Sequence, residues 1–289
     1  MSERTGHKLS RRQFSVLAVA SAAGLNAQTK SRFPIGLQQT AVGRNIQQDL
    51  NGTLRAIAMM GYDIVEFSAG SFMNWTTGQA REVRALLDEI NLKCRSTHNE
   101  IVSFSGDGLS KSIELNQIIG SDTLVSVRGP GGIAARGGTP AVPPTLDAWK
   151  RFSEQLSGAA DRIRSAKMTL GFHNHAIEFE PVEGTRPIDI LAANKDITSF
   201  HLNIGLCLQG GGDPIAFINQ CPGRIQSMLI QDYKGQARWK DIFSAAEAKG
   251  GLKFYLLQRT DGLFLVQREG SDLLDFAQKD LQYFRQLHG

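Results

Sequence analysis

The chain has 289 residues, enough for one large domain or two small ones. Its 41% hydrophobic and 21% charged residues make an ordinary globular composition, which excludes a collagen-like, disordered or disulfide-scaffold protein. The net charge of +4 points to a nucleic-acid or anionic-membrane partner only if the basic residues belong to the fold.

Residues 1–27 read as an export signal rather than as part of the fold. A polar, basic stretch ends at Arg12. An apolar run from Phe14 to Leu25 follows, and Asn26-Ala27-Gln28 offers a small-residue cleavage site. The run is shorter than the roughly 20 apolar residues of a membrane span. Ser10-Arg11-Arg12-Gln13-Phe14 resembles the twin-arginine signal of bacterial secretory proteins, which implies a periplasmic or other extracytoplasmic location. In this segment Arg4, Lys8, Arg11 and Arg12 stand against Glu3 alone, so residues 28–289 keep a net charge of about +1. The basic balance is therefore an address, and no nucleic-acid partner is expected.

From Pro34 onward, strand-like runs alternate with amphipathic stretches. Strands are predicted at 34–40, 62–67, 92–98, 122–127, 168–174, 197–203, 226–231 and 252–258. Between the second and third, 77–90 carries Val83, Leu86, Leu87 and Ile90 on one helical face. The stretch 145–166 carries Leu146, Trp149, Phe152, Leu156, Ala159 and Ile163 at helical spacing. The last helix, 271–287, carries Leu273, Leu274, Phe276, Ala277, Leu281 and Phe284. Thr53, Thr77 and Thr145 are candidate N-caps or first-turn residues. Gly210-Gly211-Gly212 predicts a tight turn before a helix opening at Asp213-Pro214. Cys94 reads as a core thiol, while Cys207 and Cys221 are left open to a bridge in an oxidising compartment.

Eight strands alternating with helices predict a single-domain α/β protein, a (β/α)8 TIM barrel over residues 28–289, close to the roughly 250 residues of one such barrel. A doubly wound open sheet is the competing arrangement. It more often has a glycine-rich turn after its first strand, whereas this one ends Gln38-Gln39-Thr40. The Gly/Pro-rich stretch 128–144 follows strand four, where a barrel would hold it over the C-terminal face. It reads either as a surface loop or as a lid carrying Arg128 and Arg136.

In a barrel the chemistry collects at strand C-termini. Those positions hold Gln38, Glu66, His98, Arg128, His173-Asn174-His175, Asn203, Gln231-Asp232 and Gln258. Such a polar ring at the ends of apolar strands predicts a binding site.

Several strings in order resemble the sugar phosphate isomerase/epimerase family with its xylose isomerase-like barrel. Gly61-Tyr62-Asp63-Ile64-Val65-Glu66-Phe67 is similar to the family's G-Y-x-x-V-E-F strand. Gly171-Phe172-His173-Asn174-His175-Ala176-Ile177-Glu178-Phe179 resembles Y-H-N-H-D-F-E-F. The run from Asn203 to Pro214 resembles D-x-G-x-x-x-x-G-G-x-D-P. Pro222-Gly223-Arg224, followed by Leu229 to Gly235, resembles P-G-R followed by H-x-K-D-x-K-G.

The resemblance implies an enzyme that moves a proton next to a carbonyl through an enediolate stabilised by a divalent metal such as Mn, Zn, Co or Mg. Three positions where the family places ligands are Asn203, Leu229 and Gln258 here. An amide brings no charge and a leucine no donor atom, so the usual metal site is expected to be degenerate and no metal ligand is assigned. The catalytic candidates are Glu66, His173 and His175, with Glu66 or His173 as proton carrier. The substrate-binding candidates are Gln38, His98, Arg128, Asn203, Asp232, Lys234 and Gln258. A rearranged metal site of His173 and His175 with Glu178 or His98 is an alternative.

The expected function is thus an exported sugar isomerase or epimerase acting on a sugar or sugar derivative. A non-catalytic carbohydrate-binding barrel, or a lyase or hydrolase of an oxidised glycoside, are the alternatives. No membrane span is expected in the mature protein, and homo-oligomerisation is left open.

Overall fold

A computed structural model describes residues 32–130, 144–258 and 272–288. The expected export signal at 1–27, Arg136 and most of the 128–144 loop lie outside the described residues.

The described chain forms eight parallel strands: β1 Ile35–Gln38, β2 Ile64–Glu66, β3 Ser96–Asn99, β4 Thr123–Ser126, β5 Thr169–His173, β6 Ser199–Asn203, β7 Ser227–Ile230 and β8 Phe254–Leu257. Each is followed by a helix: α1 Leu50–Met60, α2 Thr77–Glu89, α3 Gly106–Ile119, α4 Leu146–Ser165, α5 Pro187–Ala193, α6 Pro214–Gln220, α7 Trp239–Ala245 and α8 Leu273–His288. Pairing runs β2-β1-β8-β7-β6-β5-β4-β3, so β1 and β8 are neighbours, as in a (β/α)8 barrel. Only β2 and β3 lack a regular ladder. Two bridges, Ile64 with Lys93 and Phe67 with Thr97, join them and nearly close the ring.

Every strand residue but Thr169 is buried, as in a parallel sheet covered on both faces. Alternate residues face the helices: Leu37, Val65, Leu124, Phe172, Phe200, Leu202, Met228, Ile230 and Tyr255 pack beneath them in one core. Trp149 and Phe152 of α4 reach this layer, with Phe152 edge-on to Phe172 at 6.0 Å. The opposite residues fill the barrel. Ile64, Leu229, Phe254 and Leu256 form a separate apolar cluster there. Gly36 faces inward among them, since a Cβ on it would stand 2.7 Å from Leu256 Cδ2 and 2.9 Å from Ile64 Cβ.

The helix ends follow the local rules. Thr145 caps α4 by accepting from Ala148 N at 3.2 Å. Thr77 opens α2 one residue after the true cap, Thr76, which forms a capping box with Gln79. Thr53 lies at the end of the first turn of α1, whose cap is Asp49. The glycine turn before α6 is present, with Gly211 at φ +76°, Asp213 capping Ile215 N and Ala216 N, and Pro214 first in the helix. Cys94, Cys207 and Cys221 are all free and buried, so the Cys207–Cys221 bridge is not formed. No described helix is long and apolar enough to cross a membrane.

Candidate active site

Period-two alternation along the strands sends one polar side chain after another into the barrel above the apolar cluster. Strand register sets their heights. Gln38 pairs with Glu66, His98 with Val125, His173 with His201, and Asn203 with Leu229.

Glu66 is the hub. It is 0% exposed, and both carboxylate oxygens are engaged. His98 Nε2 lies 2.9 Å from Oε2 and His201 Nδ1 lies 3.3 Å from Oε1. Both histidine approaches are at ion-pair distance without the alignment of an ideal hydrogen bond. Ser96 also donates its hydroxyl to Oε1. Burial pushes the Glu66 carboxyl up, but His98 and His201 outweigh it and hold it well below the ordinary carboxylate range.

His98 is braced on its other side, with Nδ1 3.3 Å from Gln38 Nε2. Gln38 is itself fully engaged. Its Oε1 accepts from Thr40 N at 2.6 Å and from the Thr40 hydroxyl, and Gln258 Nε2 donates to Thr40 Oγ1 at 2.7 Å. Gln38 therefore supports His98 and presents no free amide, and Gln258 joins the site through Thr40.

Three imidazoles line up toward the mouth. The His98 and His173 rings are 5.0 Å apart, and those of His173 and His175 are 5.1 Å apart. His173 ends β5, and His175 comes close to it from the loop beyond. Burial, then His98 and His175, hold His173 well below the ordinary histidine range. Burial, then His98 and Arg128, push His175 down to about 3. Both rings are neutral at neutral pH. Arg128 sits beside Glu100, Nη1 to Oε1 at 3.4 Å, and its Nε is buried with no partner among the described residues.

Asn174 and Asn203 lock the ends of β5 and β6 together. Asn203 N donates to Asn174 Oδ1 at 2.8 Å, and Asn174 Nδ2 donates to Asn203 O at 3.2 Å. Asn203 Oδ1 caps the short helix Ile204–Gln209 by accepting from Leu206 N at 2.9 Å. That fixes the amide, and its Nδ2 is buried with no partner among the described residues. Glu178 is almost fully buried and accepts from His175 N at 2.5 Å.

The structure thus brings Gln38, Glu66, His98, His173, His175 and Gln258 into one connected group, with Arg128 near His175 and Asn203 beside it on β6. It does not bring Asp232 or Lys234 to that group by any described contact. Asp232 Oδ1 accepts from Ala237 N at 3.2 Å, closing its own loop. Lys234 is exposed, with Nζ 4.9 Å above the Tyr233 ring. Sequence reasoning missed His201, a mid-strand residue with its ring in the barrel. Its signal was the two-residue step back from Asn203, which puts both on one face. Among the described residues, no group of three or more His, Cys, Asp or Glu side chains is arranged to hold a metal ion.

No family model and no curated protein matches the chain. Solved structures do. A sugar phosphate isomerase/epimerase from Parabacteroides distasonis superposes with a TM-score of 0.71 at 19% identity, over 89% of this chain and 95% of that one. A D-psicose 3-epimerase superposes with a TM-score of 0.63 at 13% identity, over 89% of this chain and 99% of that one. An L-ribulose 3-epimerase does so with a TM-score of 0.61 at 17% identity, over 88% and 94%. The chain has the single-domain TIM-barrel fold of these proteins.

Proposed function

We propose that the chain is a sugar isomerase or epimerase that moves a proton next to a carbonyl, with His173 as the proton carrier. The observation that carries this reading is a buried imidazole at the axial mouth, held neutral by burial and by its histidine neighbours. A neutral imidazole has a lone pair to take a proton, and His173 Nδ1 is buried with no partner among the described residues. Glu66, with both oxygens engaged, serves instead to orient and balance His98.

The substrate carbonyl would lie over His173. His173 takes the proton from the adjacent carbon, and that electron pair becomes the double bond of an enediolate. Return of the proton to the former carbonyl carbon, with the hydroxyl proton of the first carbon passing to the oxyanion, isomerises the sugar. Return to the original carbon from a second acid epimerises it. The developing oxyanion needs a fixed donor, and Asn203 Nδ2, with its amide oriented by the helix cap, supplies one. Arg128 Nε supplies a second donor, toward substrate hydroxyls or a carboxylate.

A divalent metal is implied by the family resemblance, and the residues do not fit one. Asn203 uses its amide oxygen on a cap, Leu229 packs in the apolar cluster, and Gln258 directs its nitrogen at Thr40. No step is routed through a metal, and the site is read as degenerate. Export across the membrane, read from residues 1–27, would place the substrate outside the cytoplasm. The likeness to epimerases of ketoses supports a small sugar or sugar derivative as ligand.

The test is turnover and thermal shift across a panel of aldoses and ketoses. His173→Ala should lower kcat/KM by about 10²–10⁴-fold while the melting temperature stays near that of the wild type. Full turnover in His173→Ala would refute the assignment. Saturable sugar binding with no turnover on any sugar would favour a non-catalytic carbohydrate-binding barrel.

A further inference from the structure

A cavity of about 480 Å³ opens between the segments that follow β1 and β2, on the face of the barrel where the strands end. Its size falls within the roughly 300–1,000 Å³ of small-ligand sites. Gln39, Thr40, Gln47, Ser68, Ser71 and Trp75 supply its polar and aromatic lining. Among the described residues, no charged side chain lines it.

The polar groups are held in place and left half-used. Gln39 is only 5% exposed. Its Oε1 accepts from Ser68 N at 2.8 Å, from the Ser71 hydroxyl at 2.8 Å and from the Ser68 hydroxyl at 3.3 Å. Its Nε2 has no hydrogen-bond partner among the described residues and is left as a donor. Each serine hydroxyl directs its proton at Gln39 and keeps oxygen lone pairs as acceptors. Trp75 is half-buried, and its ring stands edge-on to Phe67 at 4.9 Å and to Phe72 at 5.4 Å, which fixes its plane.

A fixed aromatic ring among uncharged donors and acceptors matches a pyranose. The C–H face of that sugar ring is apolar, and its hydroxyls both donate and accept. A phosphate or carboxylate in the same place meets no counter-charge.

Thr40 joins this cavity to the histidine group. It lines the cavity, its hydroxyl donates to Gln38 Oε1, and it accepts from Gln258 Nε2 at 2.7 Å. Gln38 in turn braces His98 at 3.3 Å. One residue thus borders both places, and a ligand that reaches across it touches both.

We propose that the cavity is a subsite for a second, uncharged sugar unit, and that the substrate is a neutral glycoside or disaccharide rather than a phosphorylated monosaccharide. The subsite stands as a binding site without any reaction, whereas its place in a substrate rests on the function proposed above.

Calorimetry on the full-length protein tests it, with maltose, cellobiose and lactose, their component monosaccharides and glucose 6-phosphate as probes. At least one disaccharide should bind roughly tenfold or more tightly than its monosaccharides, because the second unit binds as part of a linked ligand. Glucose 6-phosphate should show no gain over glucose. Gly43 and Gly70 also line the cavity, and a Cβ on either meets nothing within 4 Å, so Gly43→Phe and Gly70→Phe fill the space without entering the core. Each should abolish the disaccharide's advantage and leave monosaccharide affinity within about twofold. Trp75→Ala should do the same, and the glycine variants decide the matter if loss of its packing on Phe67 and Phe72 unfolds that protein.

No disaccharide advantage in the wild type, or an advantage that survives both glycine variants, would overturn the proposal. So would a gain for glucose 6-phosphate that Gly70→Phe removes. Disaccharide binding without turnover would count against the proposed reaction and leave the subsite standing. Turnover of monosaccharides with no disaccharide advantage would do the reverse.

Discussion

Glu178 is the sharpest point at which this structure commits to a number. Its carboxyl is pushed up to about 7 by burial, against the opposing hydrogen bonds from His175 N and its own backbone, with Glu180 adding to the rise. The unfolded chain returns it to an ordinary value near 4.5. A raised carboxyl means that the folded state binds the extra proton. Its stabilising contribution is fully present below about pH 4.5 and is lost as pH rises through about 7. At about 1.36 kcal/mol per pH unit, the loss amounts to roughly 3 kcal/mol. Glu178→Gln removes the charge and keeps an oxygen for His175 N. The variant should match the wild type near pH 4.5 and exceed it by about 3 kcal/mol at pH 8. For a barrel of this size that is roughly 6–12 °C in Tm. Thermal unfolding of both proteins from pH 4.5 to 8.5 measures it. A difference that does not grow with pH, or a variant less stable at pH 8, would refute the burial argument.

Further outcomes follow from other parts of the barrel. Glu66→Gln takes one carboxylate oxygen away from His98, His201 and the Ser96 hydroxyl and should cost about 1–3 kcal/mol, measured by denaturant unfolding. Gly36→Ala drives a methyl group into Leu256 and Ile64 and should cost about 1–3 kcal/mol in the same assay. On the degenerate site proposed above, with Asn203, Leu229 and Gln258 at the expected ligand positions, dialysis against a chelator should leave Tm and any sugar turnover unchanged. Asp232→Asn and Lys234→Ala should leave sugar affinity within about twofold by calorimetry, because both residues belong to their own loop.

The barrel was legible in the sequence because covered parallel strands are apolar runs, and each of the eight predicted runs overlaps a strand. The runs overshoot at their ends. The predicted 92–98 begins four residues before β3, where Leu92 and Cys94 are buried, Lys93 and Arg95 are exposed, and the stretch is paired only by an isolated bridge at Lys93. The site was legible where polar residues end strands, which brought out Glu66, His98, His173 and Asn203. It was harder to read at His201, since only its two-residue step back from Asn203 tells which way a histidine inside Phe200-His201-Leu202 points. Roles were harder still. Sequence allows Glu66 to be a proton carrier, and only the packing places both its oxygens against partners. Asp232 and Lys234 match a familiar string, yet a left-handed residue at Lys234, φ 55°, belongs to a turn that closes on itself.

The sparse joint between β2 and β3 has a consequence for how such variants are read. Two bridges and a few backbone hydrogen bonds, such as His98 N to Phe67 O at 2.9 Å, stitch these strands. Glu66 sits on one side of the joint and His98 on the other, so their ion pair is also a rivet of the barrel. Local opening should begin where the ladder is thinnest, and amide protons of β2 and β3 should exchange before those of β4 and β5. A substitution at Glu66 or His98 would then loosen the wall as well as alter the chemistry. Exchange rates along that joint, recorded beside activity, separate an enzyme that has lost a group from one whose barrel has come unfastened.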